Sequence, residues 1–176
     1  YSNKIFFNAA LPLVKVIAND VPSLKKQFAH VHAIIQVSAK DPDAPGGKVG
    51  MHFVVNSDEW LVHLNKVDPN PHVELEFKSV EAMNAFFKGK MSPATLPKMK
   101  GVVTHFGAFK AFLMTLLKMS SLLGATEAPK DEATKELMVK CFFYLLSSGI
   151  SQLNKMGHED IHDWTSKSPD RVYAWA

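Results

Sequence analysis

Residues 158–162 read His-Glu-Asp-Ile-His, the residue types and spacing that zinc hydrolases use. Two histidines four positions apart share one helical face and both reach one zinc ion, while the glutamate polarises a metal-bound water. Such a centre needs a third protein ligand. No histidine or glutamate follows His162, and Asp163 sits directly beside a candidate ligand. Gly157 weakens a helix where the motif has to begin. The stretch therefore reads as a polar helix start, with Glu159 and Asp160 favoured by the N-terminal dipole. No catalytic residue and no metal ligand is expected from it.

The other candidates for chemistry are weaker. His30, His32, His52, His63, His72 and His105 mostly alternate with apolar residues, a pattern that predicts outward-facing imidazoles on strands. His52 and His63 can face each other across a hairpin, but two imidazoles without a third ligand make no metal centre. Gly46-Gly47-Lys48 lacks the glycine spacing and the following Ser or Thr of a phosphate loop. No Gly-x-Ser-x-Gly elbow occurs, and Ser147-Ser148-Gly149 reads as a helix end. The acidic residues form no apolar-flanked pair that would divide into an acid and a base. Cys141 lies in an apolar run and reads as a buried, inert thiol. An enzyme is not expected, and no cofactor is implied.

Composition narrows the classes further. The net charge of +3 is carried by scattered lysines, without the basic stripe of a nucleic-acid binder, so no nucleic-acid partner is expected. One cysteine forbids an internal disulfide and makes the cytoplasm the default compartment. No stretch looks like a signal peptide, and the chain opens at Tyr1 rather than Met, which leaves a preceding leader open. No uninterrupted apolar run is long enough to predict a spanning helix.

The elements that would position any site follow from periodicity. Pro12 and Pro22 suit the first turns of two helical pieces between residues 12 and 28. From Val31 to Ala39 the period is two, with Val31, Ala33, Ile35, Val37 and Ala39 on one strand face. Val49–Val55, a run from Trp60 to Leu64, and Val73–Phe77 are further strands separated by short turns, which favours an antiparallel meander. Glu74, Glu76 and Lys78 alternate with Val73, Leu75 and Phe77 and are assigned to a solvated face. Ser79 caps a helix with Val80, Met83, Phe86 and Phe87 as its stripe and Gly89 as its end. Ser92-Pro93 begins a short helix, and Lys98–Thr104 serves as a fifth strand. Pro129, Asp131 and Glu132 open a last helix whose buried stripe is Leu137, Met138, Cys141, Phe142 and Leu145, with Gly149 ending or bending it. Arg171–Ala176 resembles a strand.

Phe106–Leu123 is the most informative segment. Only a narrow stripe near Lys110, Lys118 and Ser121 is polar, whereas a surface helix carries a much narrower apolar face. It would be roughly 27 Å long. Two lysines and several small polar residues argue against crossing a membrane. The chain holds 12 Phe and 8 Met, concentrated between Met83 and Phe143. Such a surplus is either a Phe/Met-rich core or the lining of an adaptable apolar cavity.

The order of these segments resembles the sterol carrier protein family over roughly residues 31–123. Phe86-Phe87-Lys88-Gly89-Lys90-Met91-Ser92-Pro93 is similar to that family's helix end. Lys98-Met99-Lys100-Gly101 is similar to its strand ending in glycine, and Val73-Glu74-Leu75-Glu76-Phe77-Lys78-Ser79 to its strand leading into a helix. The resemblance implies an α+β fold: a five-stranded mixed, largely antiparallel sheet with helices on one face around an apolar tunnel. It implies domain limits of 1–124, with residues 125–176 as a helical extension. It implies binding and transfer of fatty acid, fatty acyl-CoA or a sterol-like lipid, without chemistry.

On that resemblance the tunnel-lining candidates are Phe53, Trp60, Phe77, Met83, Phe86, Phe87, Met91, Leu96, Met99, Phe106, Phe109, Phe112, Leu113, Leu116, Leu117 and Met119. Phe106–Leu123 corresponds to a C-terminal cover, with Lys110 or Lys118 placed to meet a headgroup. A transient membrane contact and a homodimer are compatible with it. Two departures stand out. Gly101 is followed by Val-Val-Thr-His-Phe-Gly rather than an acidic or amide residue and Met-Gly, and about 50 residues after Gly124 have no counterpart. Three functions compete: a lipid carrier, a homodimeric or accessory interaction module without a lipid, and a zinc hydrolase through residues 158–162.

Overall fold

The computed structural model describes residues 6–87, 92–123 and 129–155. The zinc-like stretch, Gly89, Met91 and Arg171–Ala176 lie outside the described residues. A π-helical turn (Phe6–Ala10) precedes α1 (Leu13–Asp20) and α2 (Pro22–Phe28), and Pro22 occupies the first turn of α2 after an extended Val21. Then come β1 (His32–Lys40), β2 (Lys48–Asn56), β3 (Glu59–His63), β4 (Val73–Phe77), α3 (Val80–Phe87) and β5 (Lys98–Lys100). The helices α4 (Phe106–Leu123) and α5 (Glu132–Lys155) follow. By contact the chain divides into two compact units, residues 21–115 and residues 1–20 with 116–176.

The unit of residues 21–115 is α+β. Its sheet runs β3-β2-β1-β4-β5 and is antiparallel throughout except for the parallel pair β1/β4. A simple meander is therefore incorrect: β4 lies not beside β3 but on the far side of β1. The connection 64–72 crosses the sheet to get there. His52 Nδ1 donates to the Lys66 carbonyl at 2.9 Å, Asp68 N–H donates to Gln36 Oε1 at 2.6 Å, and His72 N–H donates to the Ile34 carbonyl at 2.9 Å. These three bonds pin the crossing first to β2 and then to β1.

Register sorts the strands into two faces. Ile35 pairs with Phe53 and Val73, Val55 with Trp60, and Leu75 with Met99, so these side chains share one face. Gln36, Ser38, His52, Glu74, Glu76, Lys48, Lys98 and Lys100 share the other. Helices pack on the first face: Phe28 of α2 meets Trp60, Phe86 and Phe87 of α3 meet Phe77, and Phe112 of α4 meets Phe53. Ser79 caps α3, its Oγ accepting from Ala82 N–H at 3.2 Å.

Two further expectations need correction here. The fifth strand ends at Lys100 instead of Thr104, because Gly101 turns the backbone to a φ of 71°. A Cβ at Gly101 would stand 1.8 Å from the His72 carbonyl oxygen, so only glycine fits the approach to β4. Ser92-Pro93 opens a single turn closed by bonds from Thr95 and Leu96 to Ser92, not a helix.

In the second unit α5 packs against the π-helical turn and α1. Asp131 caps α5, accepting from Thr134 N–H at 2.8 Å. Leu11, Leu13, Val14, Ile17, Leu137 and Cys141 are buried there. Phe142, expected in the buried stripe, is 60% exposed, and Met138 and Leu145 are half-buried or more exposed than the stripe predicts. Gly149 does not end the helix, which continues through Ser147-Ser148-Gly149 to Lys155. Helical hydrogen bonds on both sides outweigh a glycine penalty of about 1 kcal/mol.

Candidate functional site

The apolar sheet face is a layer of interlocking rings. Phe53, Phe77, Met83 and Phe112 are fully buried, and Phe109 and Trp60 nearly so. The Trp60 ring meets Phe28 at 4.7 Å and Phe53 at 5.6 Å, both edge-on. Phe53 meets Phe112 at 5.9 Å, while Phe77, Phe86 and Phe87 make a second cluster with centroids 5.3 to 5.7 Å apart. The sequence places these rings locally through strand alternation and helical spacing; the tertiary fold brings them together.

The remaining tunnel candidates are distributed unevenly. Leu113, Phe86 and Phe87 are half-buried, and Leu116 and Met119, further along α4, are buried. Leu96, Met99, Phe106 and Leu117 are exposed. Met91 lies outside the described residues. Lys110 is exposed and Lys118 half-buried.

The opposite face holds a charged cluster that alternation alone misassigned to water. Glu74 is 3% exposed. Its Oε1 accepts from Gln36 Nε2 at 2.9 Å, Ser38 Oγ at 2.7 Å and Lys48 Nζ at 3.4 Å, and its Oε2 accepts from Lys100 Nζ at 2.8 Å. Glu76 accepts from Lys100 at 2.8 Å and from Lys48. Burial alone would raise the Glu74 carboxyl, but the Lys100, Ser38 and Gln36 hydrogen bonds and the Lys48 charge hold it down at about 2. Hydrogen bonds from Lys100 and Lys48 likewise lower Glu76, and the two carboxylates raise the Lys100 ammonium. Both carboxylates are thus ionised and matched by two lysines, an arrangement that holds the sheet and leaves no protonated acid beside a free base. The signal in the sequence was β1, whose interior carries no charge, as befits a central strand with buried neighbours on both sides.

His52 and His63 do face each other, in register on β2 and β3, with rings stacked at 4.6 Å. His52 is buried rather than outward-facing, because the crossing connection covers it. Burial, then the neighbouring His52 and Lys66, lowers the His63 pKa, with Asp68 opposing. Among the described residues no group of three or more His, Cys, Asp or Glu side chains is placed to hold a metal ion. Cys141 is buried, and burial first, with Asp20 adding, pushes its thiol pKa up.

α4 has the length and composition of a membrane-crossing helix, yet 44% of it is buried in the fold. Ala108, Ala111, Phe112 and Thr115 are among its buried residues, the Thr115 hydroxyl donating to the Ala111 carbonyl at 2.8 Å.

Strand order, register and one-sided helix packing define an α+β fold with a five-stranded mixed sheet. No family model and no curated protein matches the chain. Two solved structures are similar to it. One is a crystal structure of sterol carrier protein 2, at 12% identity and a TM-score of 0.48, covering 65% of this chain and 95% of that one. The other is a solution structure of a conserved hypothetical protein of Thermus thermophilus, described as a sterol carrier protein candidate. It is 13% identical at a TM-score of 0.44, covering 65% of this chain and 86% of that one.

Proposed function

We propose that this protein binds apolar ligands of the fatty acid, fatty acyl-CoA or sterol-like class and carries them between membranes without chemistry. The observation that carries the reading is α4. Its buried side supplies Phe112 to the ring layer, while its outer stripe presents Phe106, Met114 and Leu117, each at least 43% exposed. A helix that is apolar on both sides costs solubility unless the outer side meets an apolar partner for part of the time. Lys110 sits within that stripe, four residues from both Phe106 and Met114, and offers a cation to a carboxylate or phosphate headgroup. The family resemblance of residues 31–123 points the same way.

The energetics are adequate. Burying a dozen methylenes is worth about 10 kcal/mol before ordering costs. Phe and Met side chains in the layer repack at low cost. The protein works in the cytoplasm and touches membranes only transiently on this reading. The test is organic extraction of the purified full chain followed by mass spectrometry. Lipid recovered at about one equivalent supports the reading; lipid-free protein that also ignores fluorescent fatty acids refutes it.

A second reading has its own observation. Val139, Phe142 and Leu146 are exposed on α5 at spacings of three and four, an apolar stripe suited to a second copy of the chain. Sedimentation equilibrium showing dimer, with no lipid extracted, would favour a homodimeric interaction module.

A further inference from the structure

Trp60 carries a buried donor that no described protein group satisfies. The side chain stands on β3 opposite Val55, on the apolar face, and is 3% exposed. Its indole Nε1 is fully covered and has no hydrogen-bond partner among the described residues. The ring is held edge-on by Phe28 and Phe53, and its neighbours on the same sheet face are Val55, Phe53 and Val62. An indole N–H donates only, so whatever completes it has to bring an acceptor. Leaving it orphaned costs about 1–3 kcal/mol. Buried polar groups without a partner are rare in native folds.

Resting on the lipid-binding reading, we infer that Trp60 Nε1 selects the ligand: it donates to an uncharged oxygen, a hydroxyl or a carbonyl, on an otherwise apolar molecule. The charge of the acceptor follows from the surroundings. Phe28, Phe53, Val55 and Val62 make the site apolar, and an ionised carboxylate buried there would need a cation beside it. The lysines of the buried charged cluster, Lys48 and Lys100, are on the opposite sheet face and committed to Glu74 and Glu76. The group that meets Trp60 is therefore a neutral oxygen, as on a long-chain alcohol, a sterol or an ester, and not a carboxylate; Lys110 is exposed on α4 and meets a charged headgroup only at the surface. Trp60 acts as a specificity residue whose ring also belongs to the packed layer.

The test uses the full chain and displacement of bound pyrene by 1-decanol, decane and decanoate at neutral pH. The wild-type protein should bind decanol about tenfold more tightly than decane, the size of one buried hydrogen bond, and decanoate more weakly than decanol. Trp60→Phe keeps an aromatic ring without the donor and should bind decanol and decane equally. A second readout needs no change at Trp60. In ¹H–¹⁵N spectra of a Trp164→Phe, Trp175→Phe protein, the remaining indole proton should move downfield with decanol and stay put with decane. No preference for decanol in the wild type, or a preference that survives Trp60→Phe, overturns the inference while the lipid reading stands. An indole proton unmoved by decanol does the same, and indicates an N–H satisfied by a neighbouring ring face or by water. If pyrene and all three probes fail to bind, the lipid reading itself falls and the inference with it.

Discussion

Glu74→Gln isolates the charged cluster on the sheet face opposite the ring layer. The carboxyl of Glu74 is held at about 2 in the fold, against an ordinary 4.5. Each pH unit of such displacement corresponds to about 1.4 kcal/mol, which sets a ceiling of about 3.4 kcal/mol. Lys48 and Lys100 are 30% and 43% exposed, so solvent screens part of the attraction and about 2 kcal/mol is the expected contribution. The sign follows from linkage. The folded pKa lies below the unfolded one, so the stabilisation is fully present above about pH 4.5 and fades as pH falls through that value towards about 2.

Other carboxylates titrate over the same range, so the informative quantity is the difference between wild type and variant. Urea unfolding, followed by circular dichroism at pH 7 and at half-unit steps from 5 down to 2.5, measures it. Glu74→Gln should cost about 2 kcal/mol at pH 7, and the two proteins should converge as the wild-type carboxyl protonates. A gap that is constant with pH would refute the reasoning. It would mean that Gln36 and Ser38 bond the amide as well as the carboxylate and that the lysines contribute nothing net.

Two glycines give opposite expectations. Gly101→Ala should destabilise the fold by about 3 kcal/mol through strain and overpacking, because its Cβ would meet the His72 carbonyl at 1.8 Å with φ at 71°. Gly149→Ala, in open space within α5, should raise stability by up to about 1 kcal/mol; thermal melts of both variants check the pair. Phe112→Ala removes a fully buried ring that packs on Phe53; it should cost about 3–5 kcal/mol in urea unfolding and weaken pyrene binding.

Several elements were legible before any fold was known. Phe106–Leu123 was readable to the residue, because a dense apolar helix with a narrow polar stripe has one sensible interpretation. Val73–Phe77 was readable as a strand through strict alternation, and the cap at Ser79 through its side-chain oxygen. Of the tunnel candidates named on the family resemblance, Phe53, Trp60, Phe77, Met83, Phe109 and Phe112 are buried. Leu96, Met99, Phe106 and Leu117 have the same chemistry but stand in solvent. Hydrophobicity says that a side chain can be buried; only packing says that it is.

The amino-acid sequence by itself determined the local pieces: where strands alternate, where helices begin at Pro22, Ser79 and Asp131, and that apolar side chains are in surplus. These depend on interactions a few residues apart. The tertiary structure alone decided that β4 lies parallel to β1, that the connection 64–72 crosses to reach it, and that Glu74 and Glu76 are enclosed with Lys48 and Lys100. It alone left the Trp60 donor without a partner among the described residues. Each of those rests on contacts between residues distant along the chain, and alternation fixes which residues share a face without saying what that face will meet.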